Sequence, residues 1–332
     1  MWNNTKVVDV HAHISRPPQV RAFAAGLMSN RTPQKMNISD EVAEPAFQRH
    51  IADMDDRLID FQLVGPRPVD QWSWMPMFLQ DSWSRATNDH IAQSVRLHPD
   101  RFAGMAQLPQ DALASDTTHM LAELEYCVNE LGFVGAYLNP DPDGKRSAPG
   151  VHEAYWYPFY EKCIELGVQI LVHPCPTEDP RLQVVPANYQ INNVVEEYIA
   201  SMLYMYGDVF DRYPDLKVCI CHCGGALQRF IPTDYQHSGP DKDFTKNLFY
   251  DSNALDPRFL DLAIQQRGVS QMCFGTEVPG SGRAVRPETG RPGDDLVRTI
   301  DGLESLSEAD KQAIFHDNPL KVFSKVAELI GD

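Results

Sequence analysis

Short apolar runs recur along the chain, and amphipathic segments separate several of them. The runs predict eight strands, at 7–13, 61–66, 102–108, 133–139, 168–173, 217–222, 248–252 and 272–277. Apolar residues at helical spacing predict helices over 116–131, 153–166 and 193–212. Strands that alternate with helices form a parallel sheet, and eight repeats favour closure. The sequence therefore predicts the α/β class and a single (β/α)8 TIM-type barrel.

The remaining segments extend the predicted barrel without dividing it. Residues 14–45 are long and irregular, and their length favours a lid over the barrel mouth. A capping-box pattern at Ser307-Glu308-Ala309-Asp310 predicts a C-terminal packing helix over 307–324 that breaks at Asn318-Pro319. Stretches rich in proline and glycine follow the strands, and none has the character of a linker, so residues 1–332 are interpreted as one domain.

Polar groups stand at the ends of four predicted strands. His11 and His13 close the first strand, and residues two apart in a strand point to the same side, as two imidazoles must to bind one metal ion. His173, His222 and Glu277 end three later strands. The carboxyl ends of barrel strands meet at one mouth, so these groups are expected to share a site. Imidazoles with one carboxylate favour Zn²⁺ or another divalent metal, although any single histidine could be a hydrogen-bonded core residue.

Composition and charge exclude several classes of function. With a net charge of −17, the protein is not expected to bind nucleic acid or an anionic membrane, because both need basic surfaces. A small anionic substrate is compatible with this charge, because a few local arginines can dominate a pocket. No apolar run approaches the roughly 20 residues of a membrane span, and the N-terminus lacks a signal pattern, so a cytoplasmic protein is expected.

The other cysteines and histidines are interpreted as structural. Seven cysteines without a secretory signal favour reduced thiols over a disulfide framework. Cys219, Cys221 and Cys223 alternate along one strand, opposite to His222, and are expected to be small buried core residues rather than metal ligands or redox groups. Surface roles are expected for the histidines in helical or loop stretches, namely His50, His90, His98, His119, His152, His237 and His316.

Four of these motifs together resemble the amidohydrolase superfamily. They are Asp9-Val10-His11-Ala12-His13, Val172-His173-Pro174, Cys221-His222-Cys223-Gly224-Gly225 and Phe274-Gly275-Thr276-Glu277. Over nearly the whole chain the resemblance is to the branch of aminocarboxymuconate-semialdehyde decarboxylase, whose members are decarboxylases and hydratases of ring-cleavage products and aromatic acids. A narrower resemblance is to the 4-oxalomesaconate hydratases, which have glutamate on strand eight, as at Glu277, where most of the superfamily has aspartate.

The resemblance implies a mononuclear metal site. Larger hydrolytic members bridge two metals with a lysine on strand four, and 133–139 contains no lysine. The implied ligands are His11, His13 and His173, with Glu277 either completing the shell or taking a proton from water. The implied cofactor is one divalent ion, Zn²⁺ first and Mn²⁺ as the alternative.

The resemblance also implies roles around the metal. His222 is the expected acid or base, and Tyr189 matches a hydratase tyrosine, although it could be an ordinary loop aromatic. Arg67 and Asn139 are expected to bind substrate carboxylates. The alternative for Arg67 is a surface salt bridge, and the alternative for Asn139 is a turn cap before Pro140. Arg283 and Arg291, on the loop after strand eight, are weaker substrate-binding candidates, with solvated loop charge as the alternative.

These expectations predict a metal-dependent lyase. The predicted reaction is hydration of 4-oxalomesaconate, or of a close carboxylated relative, in the breakdown of aromatic acids. The partner is then a small anionic di- or tricarboxylate, and a homodimer or higher homo-oligomer is a family-level expectation. The alternatives are a nonoxidative decarboxylase of an aromatic or muconate-type acid, a lactone hydrolase, and a catalytically silent barrel.

Overall fold

Eight parallel strands form one sheet in chain order. The computed structural model describes residues 1–30, 35–68, 71 and 75–331. The strands are β1 (Val8–His13), β2 (Phe61–Gly65), β3 (Phe102–Ala106), β4 (Gly135–Leu138), β5 (Gln169–Val172), β6 (Val218–Ile220), β7 (Leu248–Asp251) and β8 (Met272–Cys273). The N–H of Val10 donates to the carbonyl of Phe274 at 2.9 Å and the N–H of Glu277 to that of His11 at 2.7 Å, which joins the two edges. The predicted α/β class and (β/α)8 barrel are confirmed.

Helices follow most of the strands and cover the outside of the barrel. They are α1 (Pro18–Asn30), α2 (Asp40–Asp56), α3 (Met77–Leu97), α4 (Leu121–Asn129), α5 (Tyr157–Leu166), α6 (Asn188–Tyr206), α7 (Val209–Arg212), α8 (Pro257–Arg267), α9 (Leu296–Asp301), α10 (Glu308–Gln312), α11 (Asn318–Val322) and α12 (Lys325–Ile330). The predicted helix over 193–212 begins earlier, at Asn188, and is interrupted at Gly207, so that α6 and α7 are separate. Among these helices none is long and apolar enough to cross a membrane.

The segment 14–45 is more regular than predicted. It contains α1 and the start of α2, whereas its residues 31–34 lie outside the described part of the chain. Helix α1 places Val20, Ala24 and Leu27 on one face, which packs against Leu79 and Trp83 of α3. The prediction of an irregular segment was wrong because it depended on length alone, and Pro18 begins α1 in the first helical turn, where a proline needs no N–H partner.

The C-terminal segment packs as predicted but does not break where predicted. Ser307 and Asp310 form the expected capping box. A π-helical stretch, Ala313–Asp317, then connects α10 to α11, and the backbone stays helical through Asn318. Pro319 has no N–H to donate to the preceding turn, so a changed hydrogen-bond pattern before it replaces the expected break.

The barrel interior is apolar towards the amino ends of the strands and polar towards their carboxyl ends. Inward side chains of the strands form one buried cluster, which includes Val8, Val10, Leu63, Met105, Leu171, Cys219, Cys221, Phe249 and Cys273. The C-terminal helices close the bottom of this cluster with Val322, Phe323, Val326 and Ile330. Polar groups are therefore confined to the opposite end, where the carboxyl ends of the strands form the mouth.

Candidate metal centre

Four imidazoles converge at the carboxyl ends of β1, β5 and β6. The ring centroid of His11 lies 5.0 Å from that of His13, 4.9 Å from that of His173 and 5.2 Å from that of His222. The His173 centroid lies 5.2 Å from His13 and 5.1 Å from His222. His11, His13 and His173 are completely buried, and His222 is nearly so. The structure thus brings together the four histidines selected from the sequence.

An irregularity in β1 places its two histidines inside the barrel. Val8 and Val10 already point inward, so strict alternation would turn His11 outward. The register with β2 shifts between Asp9 and Ala12, and beyond this bulge His11 and His13 face the mouth. One carboxylate oxygen of Asp9 accepts hydrogen bonds from the N–H groups of His11 (3.0 Å) and Thr276 (3.1 Å), which ties the bulge to the chain after β8.

Backbone carbonyls orient two of the imidazoles. Nδ1 of His13 lies 2.8 Å from the carbonyl oxygen of Pro66, and Nδ1 of His173 lies 2.7 Å from that of Pro174. A carbonyl can only accept, so each Nδ1 carries the proton and each Nε2 presents a lone pair. Burial lowers the pKa of His13 to about 4, and burial together with the neighbouring imidazoles holds the pKa of His173 well below its usual value. Both rings are therefore neutral, as metal ligands must be.

Buried carboxylates orient the other two imidazoles. Nδ1 of His11 lies 2.6 Å from Oδ2 of Asp251, and Nδ1 of His222 lies 2.6 Å from Oε1 of Glu197 on α6. Burial alone would lower the pKa of His222, but the carboxylates of Glu197 and Glu277 raise it well above its usual value. The pKa of His222 is thus shifted in the opposite direction from those of His13 and His173.

The free nitrogens of the histidine rings indicate a metal ion shared by His11, His13 and His173. Each Nε2 is buried and has no hydrogen-bond partner. The ligand atoms of His11, His13 and His173 lie within 4.8 Å of one another, and so do those of His173, His222 and Glu277. Four orphaned nitrogens would be costly to bury in an empty site, and metal-bound histidines characteristically have the other ring nitrogen held by a carboxylate or carbonyl. The donor set therefore fits a divalent metal ion.

Glu277 closes the site from the strand-eight side. Its Oε1 lies 3.7 Å from Nε2 of His13, and its Oε2 lies 3.9 Å from Nε2 of His222. Oε2 also accepts hydrogen bonds from Nδ2 of Asn253 at 3.3 Å and from the hydroxyl of Ser281 at 3.0 Å. Burial raises the pKa of Glu277, but its contacts with His13 and His222 outweigh that effect and hold it well below the usual value. The carboxylate is ionised and faces both a neutral and a cationic ring.

Tyr137 packs beneath two of the histidine rings. Its ring lies 6.3 Å from that of His13 and stacks at 6.0 Å on that of His173. A Cβ on Gly65 would come within 2.1 Å of the Tyr137 ring, so the glycine at the end of β2 is needed for this packing. The sequence pattern gave no sign of either residue.

Arg67 and Tyr189 are half-buried, and Asn139 is engaged in a local hydrogen bond. Arg67 is half-buried, its Nε donates to the carbonyl of Ile14 at 3.3 Å, and its charge contributes to the low pKa of His13. Tyr189 is half-buried in the first turn of α6, the helix that carries Glu197. Asn139 is buried, and its Oδ1 accepts the N–H of Asp141 at 3.1 Å, which is the turn-cap alternative.

The structure does not bring Arg283 and Arg291 to the mouth. Arg283 pairs with Asp53 at 3.1 Å, and Arg291 pairs with Asp56 at 2.9 Å. Both carboxylates belong to the last turn of α2, which ends just before β2 begins, so this turn lies at the opposite end of the barrel from the mouth. These ion pairs match the alternative of loop charge, so Arg283 and Arg291 are not carried into the proposed substrate contacts.

Two histidines expected at the surface are buried. His50 is 1% exposed and its Nε2 lies 2.8 Å from Oε1 of Gln62, whose Nε2 donates to Asp9 at 2.8 Å. His90 is 3% exposed, and its Nε2 lies 3.2 Å from the carbonyl of Ser15. The prediction was wrong because both face inward from α2 and α3, where a neutral imidazole satisfies buried polar groups.

The cysteines behave as predicted. All seven are free and buried. Cys219 and Cys221 belong to the interior cluster, whereas Cys223 packs in the outer core because the chain turns after β6. Cys221 also lies within ligand distance of His11 and Asp251, but those two groups already bind each other.

Sequence reasoning missed the two carboxylates behind the imidazoles. Asp251 ends β7, so the strand-end rule that selected His173 and Glu277 would have found it as well. Glu197 and its neighbour Glu196 are the only charged residues of α6 and both are buried, a pattern that marks them as functional or paired.

Comparisons with known proteins agree with this geometry. The amidohydrolase family model matches residues 8–325. A 2-keto-4-carboxy-3-hexenedioate hydratase from Sphingobium sp. (strain NBRC 103272 / SYK-6) is 32% identical over 341 residues, covering 96% of each chain. The crystal structure of a 4-oxalomesaconate hydratase from Rhodopseudomonas palustris has a TM-score of 0.86 at 26% identity, covering 98% of each chain. A 2-amino-3-carboxymuconate-6-semialdehyde decarboxylase from Dictyostelium discoideum is 27% identical, covering 79% of this chain and 72% of the relative. The chain belongs to the amidohydrolase family, as its motifs predicted.

Proposed function

We propose that this protein is a metal-dependent hydratase of 4-oxalomesaconate or of a closely related conjugated carboxylate. The observation that carries the proposal is the position of Glu277, whose carboxylate lies 3.7 Å from Nε2 of His13 on one side and 3.9 Å from Nε2 of His222 on the other. Base and acid thus stand at the same opening. Similarity to two hydratases over almost the whole chain supports the substrate class.

His11, His13, His173 and Glu277 would hold one divalent ion, and we propose zinc, with manganese as the alternative. When bound, the ion acts as a Lewis acid that lowers the pKa of a coordinated water to about 7 and polarises a substrate oxygen. Buried imidazoles that are already oriented through Nδ1 need little rearrangement to present their Nε2 lone pairs.

The protein's own groups complete the addition of water. Glu277 accepts a proton from the attacking water, whose oxygen bonds to the electron-poor carbon of the C=C bond. The Nε2–H of His222 donates a proton to the neighbouring carbon, and Glu197 stabilises the imidazolium that must exist beforehand. One proton is taken and one is returned, so no further reactant is required.

Substrate carboxylates need cationic donors at the mouth. We propose Arg67 for this role, because a half-buried guanidinium next to His13 can form a bidentate pair with a carboxylate. Tyr189, in the first turn of α6, is proposed as a catalytic group in addition to His222.

The test is turnover of oxalomesaconate by purified, metal-loaded protein. Loss of the conjugated-ketone absorbance, with the hydrated product identified by mass, is the expected result. A nonoxidative decarboxylase is the second candidate, because the Dictyostelium discoideum relative is a decarboxylase in the same family. Release of CO₂ from a hydroxybenzoate or a carboxymuconate semialdehyde, without turnover of oxalomesaconate, would replace the hydratase proposal with that one.

A further inference from the structure

The turn that carries His222 has an unusual backbone. Four successive residues have positive φ, namely His222 (49°), Cys223 (58°), Gly224 (75°) and Gly225 (76°). The left-handed region is ordinary for glycine but sparsely populated by other residues, and two of these four have side chains. Such a conformation persists only where the surroundings impose it, and here it determines where the His222 ring stands.

One side of the turn rests against α6. A Cβ on Gly225 would lie 2.2 Å from the carbonyl oxygen of Val194, so the backbones touch at this point. The same helix supplies Glu197, whose carboxylate holds Nδ1 of His222 at 2.6 Å. Helix α6 therefore sets the position of the turn and the orientation of the ring.

The other side of the turn is held by Arg267, at the end of α8. Its Nε donates to the carbonyl of Cys223 at 3.2 Å, and its Nη2 donates to those of Gly224 at 3.4 Å and Ala226 at 3.0 Å. The guanidinium carbon lies 4.3 Å from the ring centroid of Tyr250 on β7. Within the described part of the chain Arg267 forms no ion pair with a carboxylate, so its hydrogen bonds are directed to this turn.

We propose that Arg267 is a positioning residue for His222, acting from outside the barrel. A planar guanidinium fork can bind several carbonyls whose directions are fixed relative to one another, whereas a lysine ammonium on a flexible stem cannot impose that arrangement. Without the fork the turn can relax towards ordinary backbone angles, and the imidazole then leaves the line between Glu197 and Glu277. The kinetic part of this inference rests on the proposed function.

The kinetic test compares Arg267→Ala and Arg267→Lys with Arg258→Ala. Arg258 lies on the same helix, is 90% exposed and pairs only with Asp256, which makes it a matched control. For both Arg267 variants kcat is expected to fall at least about tenfold, with KM within about twofold and metal content unchanged, because a misplaced acid affects the chemical step rather than binding. Arg258→Ala should behave as the wild type.

Guanidinium rescue separates positioning from a general loss of structure. A cavity of about 220 Å³, lined by Arg267, Tyr250 and Met205 among others, gives free guanidinium access to the space that Arg267→Ala vacates. Millimolar guanidinium should restore part of kcat in Arg267→Ala and none in Arg267→Lys, whose side chain still fills the space. Normal kcat in Arg267→Ala would overturn the proposal, and so would a loss that guanidinium leaves unchanged in folded, metal-loaded protein.

A second measurement does not depend on turnover. In protein labelled with ¹⁵N-histidine, the His222 signals, assigned through His222→Asn, should shift or broaden in Arg267→Lys and stay at their wild-type positions in Arg258→Ala. Unchanged His222 signals in Arg267→Lys would overturn the proposal, even if Arg267→Ala failed to fold. If the wild type does not hydrate oxalomesaconate, the proposed function fails while this measurement still decides the role of Arg267.

Discussion

Replacing Glu277 with glutamine tests the charge on which the proposed chemistry depends. Glutamine keeps the shape of the side chain, and its amide oxygen can still accept from Asn253 and Ser281. What is lost is one negative charge, 3.7 Å from His13 and 3.9 Å from His222. The substitution therefore isolates charge and basicity from packing.

The size of the effect follows from these distances. Two unit charges about 4 Å apart interact by about 4 kcal/mol at the effective dielectric constant of about 20 that suits protein sites. Because Glu277 must also accept a proton, most of this energy is expected to be lost from the transition state. At about 1.4 kcal/mol for each factor of ten, kcat should fall by about 100- to 1,000-fold.

The assay is initial rate at saturating oxalomesaconate, with the metal content of every sample measured by elemental analysis. Glu288→Gln, an identical change at an exposed position of the same loop, is the control and should leave the rate unchanged. The melting temperature of metal-free Glu277→Gln should fall, because the depressed pKa of Glu277 shows that its charge stabilises the fold, and circular dichroism checks that the variant remains folded at the assay temperature. Near-normal kcat at full metal occupancy would show that Glu277 is a bystander.

Three further predictions concern the acid, the substrate contacts and the pH dependence of stability. His222→Asn should keep the metal but lose at least about 100-fold in kcat, because an amide cannot donate the required proton; loss of the metal instead would make His222 a ligand. Arg67→Ala should raise KM at least about tenfold, whereas Arg283→Ala, whose charge pairs with Asp53 away from the mouth, should leave KM within about twofold; equal effects would contradict the assignment. Burial lowers the pKa of His50 from 6.5 to about 3. Between pH 6.5 and pH 3 the unfolded chain therefore binds one more proton at this residue than the folded chain, so the free energy of unfolding decreases as the pH falls. His50→Gln should reduce that slope of the unfolding free energy by about 1.4 kcal/mol per pH unit in urea titrations, and an unchanged slope would mean that His50 does not titrate this way.

The strand pattern predicted the barrel because apolar runs and strand ends are properties of local sequence. His11, His13, His173 and Glu277 were found by their place at strand ends, and the fold does collect them at the mouth. The same rule applied to β7 adds Asp251, which is the last residue of that strand.

Other features depend on contacts that local sequence does not encode. The bulge that turns His11 inward is held by Asp9 and Thr276, which are far apart in the chain. The ion pair between Arg283 and Asp53 joins residues 230 positions apart, so local sequence does not reveal it. Glu197 reaches His222 only because α6 crosses the turn after β6.

The packing of Val322, Phe323, Val326 and Ile330 under the strands has a consequence for biosynthesis. All eight strands have been synthesised once the ribosome passes Cys273, yet the residues that close the bottom of the barrel follow about 50 positions later. A nascent chain can therefore pair its strands early, but the apolar interior stays open at one end until residues 322–330 have emerged. Chains cut before residue 322 are expected to expose that interior to chaperones.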